Sequence, residues 1–281
     1  MNIEKFLVAF DCDGVIFDHI GEDFLCAYNA LLALFPETRV PGITARHLDL
    51  EDIAQVKHEN ILFAKFRSLA RFALRAEDYY SVFEIALHGD NDLHSISEED
   101  FQEAKQSHLH LHPRFKEEFY KARSILQEQA PQKWAEIVPI YPGVFEAISG
   151  LASRPGTVVA AATGRDRAST VRLLAYNRID RIIQQIASRE NGNTKLEQLT
   201  YLSELTGISL GRMIFVDDKL SNLFEVAEDC IPVLADWGLT SPQDIEKGKQ
   251  AGLHVLRLPS LYQQVDSLLN RLGVPQHTET E

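Results

Sequence analysis

The 281-residue chain reads as an α/β protein with a mainly parallel sheet, interrupted after its first strand by a long helical insertion. Three observations predict this. Short, continuous apolar runs end in polar residues, as buried parallel strands do when they deliver side chains at their carboxyl ends. Helical segments separate those runs from about residue 140 onward, the pattern of a sheet wound by crossovers. Between Asp18 and Val138 the strand-like runs vanish and a helical period replaces them.

The first run is Phe6–Asp11, Phe-Leu-Val-Ala-Phe-Asp. Later ones are Thr157–Thr163, Met213–Asp217 and Ile231–Asp236, with a weaker candidate at Ile182–Ala187. In the insertion, Leu62, Phe66, Leu69 and Ala73 recur at helical spacing, as do Phe115, Phe119, Ala122 and Leu126, so each set forms one apolar stripe. Tyr141-Pro142-Gly143 marks the return to the α/β pattern, and the polar residues Pro275 through Glu281 are expected to fray. The domain expectation is residues 1–17 with 139–281 as the α/β core and 18–138 as a helical domain.

Composition bounds the function. Hydrophobic residues at 45% and charged residues at 25% are ordinary for a soluble globular protein. A formal net charge of −13 repels nucleic acid and anionic lipid, so neither is expected as a partner. Cys12, Cys26 and Cys230 have no paired spacing, which argues against a disulfide framework or a structural zinc. The start of the chain does not read as a signal peptide, and no stretch approaches a membrane span. A cytoplasmic location is the resulting expectation.

Chemistry concentrates at the strand ends, where open α/β sheets place ligands. Asp11 and Asp13 end the first strand, Thr163 and Gly164 the second, and Asp217 and Asp218 a later one, with Lys195 opening the helix before it. Carboxylates converging on one crevice need a counter-charge. A hard dication with oxygen ligands supplies it, and Mg²⁺ suits a site that keeps some waters and a phosphate oxygen.

In order, Asp11-Cys12-Asp13-Gly14-Val15, Thr163-Gly164, Lys195 and Asp217-Asp218 resemble the four motifs of the haloacid dehalogenase (HAD) superfamily. The likeness covers roughly residues 1–17 and 139–260. It implies a Rossmann-like HAD core carrying an inserted α-helical cap domain, and a phosphatase-type hydrolase. By that resemblance Asp11 is the nucleophile that forms an aspartyl-phosphate and also ligates Mg²⁺. Asp13 is the general acid–base and a metal ligand through its carbonyl. Thr163, Gly164 and Lys195 hold the phosphoryl oxygens, Asp218 is the acidic metal ligand, and Asp217 beside it is a second ligand or supports the ligands from behind. The fourth motif often carries another acid four residues on; here Asn222 stands there.

Other residues carry weaker signals. Arg67, Arg71 and Arg75 recur every four residues and are candidates to grip an anionic part of the substrate from one helix face; a solvated basic face is the preferred alternative. His108, His110 and His112 would align a metal site only on a strand, and Pro113 favours a loop or helix cap. Cys12 reads as a packing residue. The substrate expected is a small phosphorylated metabolite. A dehalogenase is disfavoured by Asp13, and a phosphonate-cleaving enzyme by the lack of a marked lysine at Lys57 or Lys65. A sugar phosphomutase and a catalytically silent scaffold stay as alternatives.

Overall fold

The computed structural model describes residues 4–89 and 96–274; the expected fraying of 275–281 lies outside the described residues. The chain divides into two compact units, Met1–Asp18 with Ile140–Glu281, and His19–Pro139.

The first unit is built on six parallel strands: β1 (Phe6–Phe10), β2 (Thr157–Ala162), β3 (Gln185–Ala187), β4 (Met213–Asp217), β5 (Ile231–Ala235) and β6 (His254–Leu256). Their spatial order is β3-β2-β1-β4-β5-β6, so the chain winds outward from β1 and returns at β4. The carboxyl ends of β1 and β4 therefore flank the topological switch point, where a crevice opens. β1 is buried at every position, which is why its sequence is a continuous apolar run rather than an alternating one.

Side-chain parity then places the chemistry. Leu7 and Ala9 of β1, Ala160 and Ala162 of β2, and Met213 and Phe215 of β4 share one core cluster with Leu199 and Leu202 of the Lys195–Thr206 helix. Asp11 and Asp217 continue the parity of Leu7–Ala9 and Met213–Phe215, so they emerge on the face covered by that helix. Thr194 caps the helix by accepting from the Glu197 amide at 3.2 Å, and this fixes where Lys195 begins it.

The strand expectations hold for four runs. Ile182–Ala187 shortens to β3, and β6 is a three-residue edge strand that the sequence did not suggest.

The second unit, with seven α-helices among the described residues, is packed around Ile20–Leu34, whose residues from Ile20 to Leu32 are all buried. Phe24 sits 5.2 Å from Phe63, 5.1 Å from Phe66 and 5.2 Å from Phe83, ring centre to ring centre. Both predicted stripes are buried. The same helix buries Glu22 and Asp23, and Arg123, Trp134 and Tyr79 meet them.

The three arginines do not share a helix face. The helix carrying Arg67 ends at Leu69, Arg71 falls in a 3₁₀ turn, and Arg75 has extended backbone at φ −139°. Beyond that turn Asp78 Oδ2 accepts from the amides of Leu74 at 2.9 Å and Arg75 at 3.1 Å and starts the next turn there. The Arg71 guanidinium lies 4.3 Å over the Phe72 ring and donates to the Ser68 carbonyl at 3.0 Å. The histidines also avoid a strand: His108 caps one helix, His110 lies in a 3₁₀ turn and His112 opens the next helix.

Candidate active site

Asp11 leaves β1 with its amide still donating to the Val216 carbonyl at 2.9 Å, so the β1 and β4 ends are held together as the carboxylates emerge. Lys195 ties three strand ends at once. Its Nζ donates to Asp11 Oδ1 at 2.8 Å and to the Ala162 carbonyl at 2.8 Å, and lies 3.6 Å from Asp217 Oδ2. Burial alone would lower the ammonium's pKa, but the Asp11 and Asp217 carboxylates outweigh it and push it up, so Lys195 stays charged.

Asp11, Asp217 and Asp218 are all buried, and each offers a carboxylate oxygen within 4.8 Å of the others. Burial, then the charge of Asp11, push the Asp217 carboxyl well above the usual carboxylate range, against the pull of Lys195. Three buried acids beside one ammonium offer the oxygen ligands with which Asp11, Asp217 and Asp218 could hold a hard divalent cation. Asn222 stands beside them: its Nδ2 donates to Asp217 Oδ2 at 2.9 Å while the Lys219 amide donates to Oδ1 at 2.8 Å.

Asp218 is framed by two glycines. Gly14, at φ +90°, passes so close that a Cβ would sit 2.3 Å from Asp218 Oδ2. A Cβ on Gly238, at φ +74°, would meet the Gly14 carbonyl at 2.2 Å. The loop after β5 is anchored here: Trp237 Nε1 donates to the Val15 carbonyl at 3.0 Å, and the Leu239 amide donates to Asp218 Oδ2 at 2.8 Å.

At the end of β2, Thr163 is buried, its amide donating to the Ala187 carbonyl at 2.8 Å and its Oγ1 accepting from the Arg165 amide at 3.1 Å. Gln198 Nε2 donates to the Thr163 carbonyl at 3.0 Å and braces the turn. Gly164 is exposed, with open space where a Cβ would be. Asp13 is not part of the acidic trio. Its carboxylate is gripped by Arg165, with Nε 3.1 Å from both oxygens and Nη2 2.8 Å from Oδ1. Cys12 between the two acids is fully buried, and burial followed by the charges of Asp11 and Asp13 pushes its thiol up, so it stays protonated.

The structure thus brings Asp11, Lys195, Asp217 and Asp218 into direct contact or one cluster, with the Thr163 turn joined to them through Ala162. Arg67, Arg71 and Arg75 belong to the other unit. Sequence reasoning missed Arg165, Trp237 and Gly238. The first directly follows Thr163-Gly164, and the other two follow the recognised strand Ile231–Asp236, so the rule that strand ends hold function reached their neighbourhood.

A parallel sheet delivering acids and a lysine to its switch point defines a doubly wound α/β core with a polar site at its strand ends, and the sequence-level comparison identifies the family. The family model for haloacid dehalogenase-like hydrolases matches residues 7–223, and the chain belongs to that family. No curated protein matches the chain. Among solved structures, it is similar to a predicted phosphoglycolate phosphatase from Haemophilus somnus, at 15% identity and TM-score 0.59, over 94% of this chain and 99% of that one. A predicted phosphatase from Clostridium acetobutylicum follows at 16% identity and TM-score 0.57, again over 94% and 99%. A haloacid dehalogenase-like family protein from Streptococcus pneumoniae aligns at 12% identity and TM-score 0.54, over 95% and 98%. At these identities the structural likenesses show a common fold. Among the described residues no helix is long and apolar enough to cross a membrane.

Proposed function

We propose that the protein is a Mg²⁺-dependent phosphatase that hydrolyses a small phosphomonoester through an aspartyl-phosphate on Asp11. The observation that carries this reading is the junction of Lys195 with Asp11, Asp217 and the end of β2, beside three buried carboxylates whose oxygens lie within 4.8 Å. Phosphoryl transfer asks a protein mainly for positioning and charge neutralisation.

In this mechanism an Asp11 oxygen attacks phosphorus while the bond to the leaving oxygen breaks, and Asp13 supplies the proton that oxygen needs. The Thr163 hydroxyl, the Gly164 amide and the Lys195 ammonium hold the transferring oxygens. Water then attacks phosphorus, the Asp11–phosphorus bond breaks, and Asp13 takes the water's proton. Asp11, Asp217, Asp218 and the Asp13 carbonyl would hold Mg²⁺, which supplies charge neutralisation at the phosphoryl group. The helical unit, inserted in the chain between the Asp11 and Thr163 loops, is assigned to selecting the leaving group. The Haemophilus and Clostridium relatives named for phosphatases favour the same chemistry.

The test is phosphate release from p-nitrophenyl phosphate with and without Mg²⁺, comparing the parent with Asp11→Asn. Turnover should require the metal and fall by at least about 10³-fold in the variant, since the covalent path is removed. Retained turnover in Asp11→Asn, or metal independence, rejects the reading.

A further inference from the structure

Arg165 is a fully buried guanidinium that the mechanism above leaves without a task, and it holds the one side chain on which both proton transfers depend. Its side chain has no exposed surface, whereas the Asp13 side chain is 26% exposed. The guanidinium is thus the fixed member of the pair and the carboxylate the member that faces outward. The backbone of Arg165 is pinned on both sides: its amide donates to Thr163 Oγ1 at 3.1 Å, and its carbonyl accepts from the Arg189 amide at 3.1 Å. From that post, Nε and Nη2 reach both Asp13 oxygens, a forked grip that fixes the plane of the carboxylate as well as its position. A lysine would hold one point and leave the plane free.

We infer that Arg165 is a positioning residue that sets the Asp13 carboxylate for proton transfer and locks its orientation to the Thr163 turn. The inference rests on the phosphatase reading. It makes an asymmetric prediction for a substrate whose leaving group departs as a stable anion. With p-nitrophenyl phosphate, formation of the Asp11–phosphorus bond expels p-nitrophenolate and consumes no proton from Asp13, whose carboxyl proton instead passes to solvent, leaving the carboxylate as the base for the next step. Hydrolysis of the aspartyl-phosphate still needs Asp13 to take a proton from the attacking water. Loss of the forked grip therefore slows the second half-reaction and spares the first.

The experiment is rapid mixing of the Mg²⁺-loaded enzyme with p-nitrophenyl phosphate, followed by acid quench and mass spectrometry, for the parent, Arg165→Lys and Arg165→Gln. Both variants should release a burst of p-nitrophenol approaching one per enzyme and accumulate protein phosphorylated on Asp11. Steady turnover should fall about 10- to 100-fold, up to the lower end of what a positioned general base contributes, because the base is misaligned and not removed. In an Asp13→Asn background, adding Arg165→Lys should change nothing further, because the residue it orients is gone. Proportionate loss of both half-reactions without phosphoenzyme, parental behaviour in Arg165→Lys, or an undiminished effect in the Asp13→Asn background overturns the inference. If Arg165→Gln fails to fold, Arg165→Lys, which keeps the charge, decides the matter. A parent that forms no phosphoenzyme and releases no phosphate rejects the phosphatase reading itself; a parent that turns over through Asp11 while the Arg165 variants give any of the overturning results rejects only the positioning role.

Discussion

Both units of this protein bury carboxylates, and they treat them in opposite ways. In the helical unit each buried acid is matched. Glu22 accepts from Trp134 Nε1 at 2.6 Å and lies 3.1 Å from Arg123 Nε. Asp23 takes Arg123 Nη2 at 2.7 Å, with Tyr79 and His19 on its other oxygen. In the α/β unit Asp11, Asp217 and Asp218 crowd together with Lys195 against the first two, and Asp217 is pushed up by burial and by its neighbour Asp11. Buried charge that is paired donor by donor holds a structure together; buried like charge held in one place awaits a cation or a reaction. The contrast separates two clusters that composition alone makes look alike.

The sharpest way to break it is to remove a cation from the matched cluster. Arg123 is only 12% exposed at its side chain, so Arg123→Ala leaves Glu22 and Asp23 buried without their counter-charge. It should cost about 3–5 kcal/mol of stability, the usual consequence of breaking one side of a buried pair. Urea denaturation measures this, and a loss under about 1 kcal/mol, the range of exposed pairs, would mean the network is solvated after all. In the α/β unit the equivalent charge change runs the other way: Asp11→Asn removes a like charge from the crowded trio, so its melting temperature without metal should match or exceed the parent's.

The second test sharpens the other half. If the acidic trio awaits a dication, Mg²⁺ should stabilise the folded state, by about 2.7 kcal/mol when present at a hundred times its dissociation constant. Asp218→Asn should remove most of that gain, read as the Mg²⁺-dependent shift in thermal unfolding. Equal stabilisation of parent and Asp218→Asn would place the cation elsewhere.

The comparison also explains what could be read from the sequence. β1, β2, β4 and β5 were legible because each is a continuous apolar run, and the strand-end rule then pointed to Asp11, Thr163 and Asp217–Asp218. β6 was not legible: three residues with an exposed His254 at their start carry no period. The Asp13–Arg165 grip joins residues 152 apart in the chain, and no local spacing encodes it. Gly238 is required by the backbone of Gly14, a contact made only when the β1 and β5 loops meet. The arginine row failed for a local reason, since a spacing of four has meaning only while the helix continues, and this one ends at Leu69, before Arg71 and Arg75.

The smallest effect expected is at Asn222, where the family often has an acid. The side chain holds Asp217 through one hydrogen bond of 2.9 Å, and loss of such an outer partner typically weakens metal affinity about 10- to 100-fold. The Lys219 amide still holds the other Asp217 oxygen at 2.8 Å, which puts Asn222→Ala at the low end, about 10-fold in the Mg²⁺ concentration for half-maximal activity. Turnover at saturating Mg²⁺ should change little, because Asn222 touches the carboxylate and not the reacting groups. Asn222→Asp discriminates further. It replaces a donor by a fourth carboxylate beside the trio, so the metal-free protein should melt lower than the parent while Mg²⁺ restores it by a larger shift. A metal-free melting temperature unchanged by that substitution would show that the crowding of like charge, on which the contrast between the two units depends, does not extend to this position.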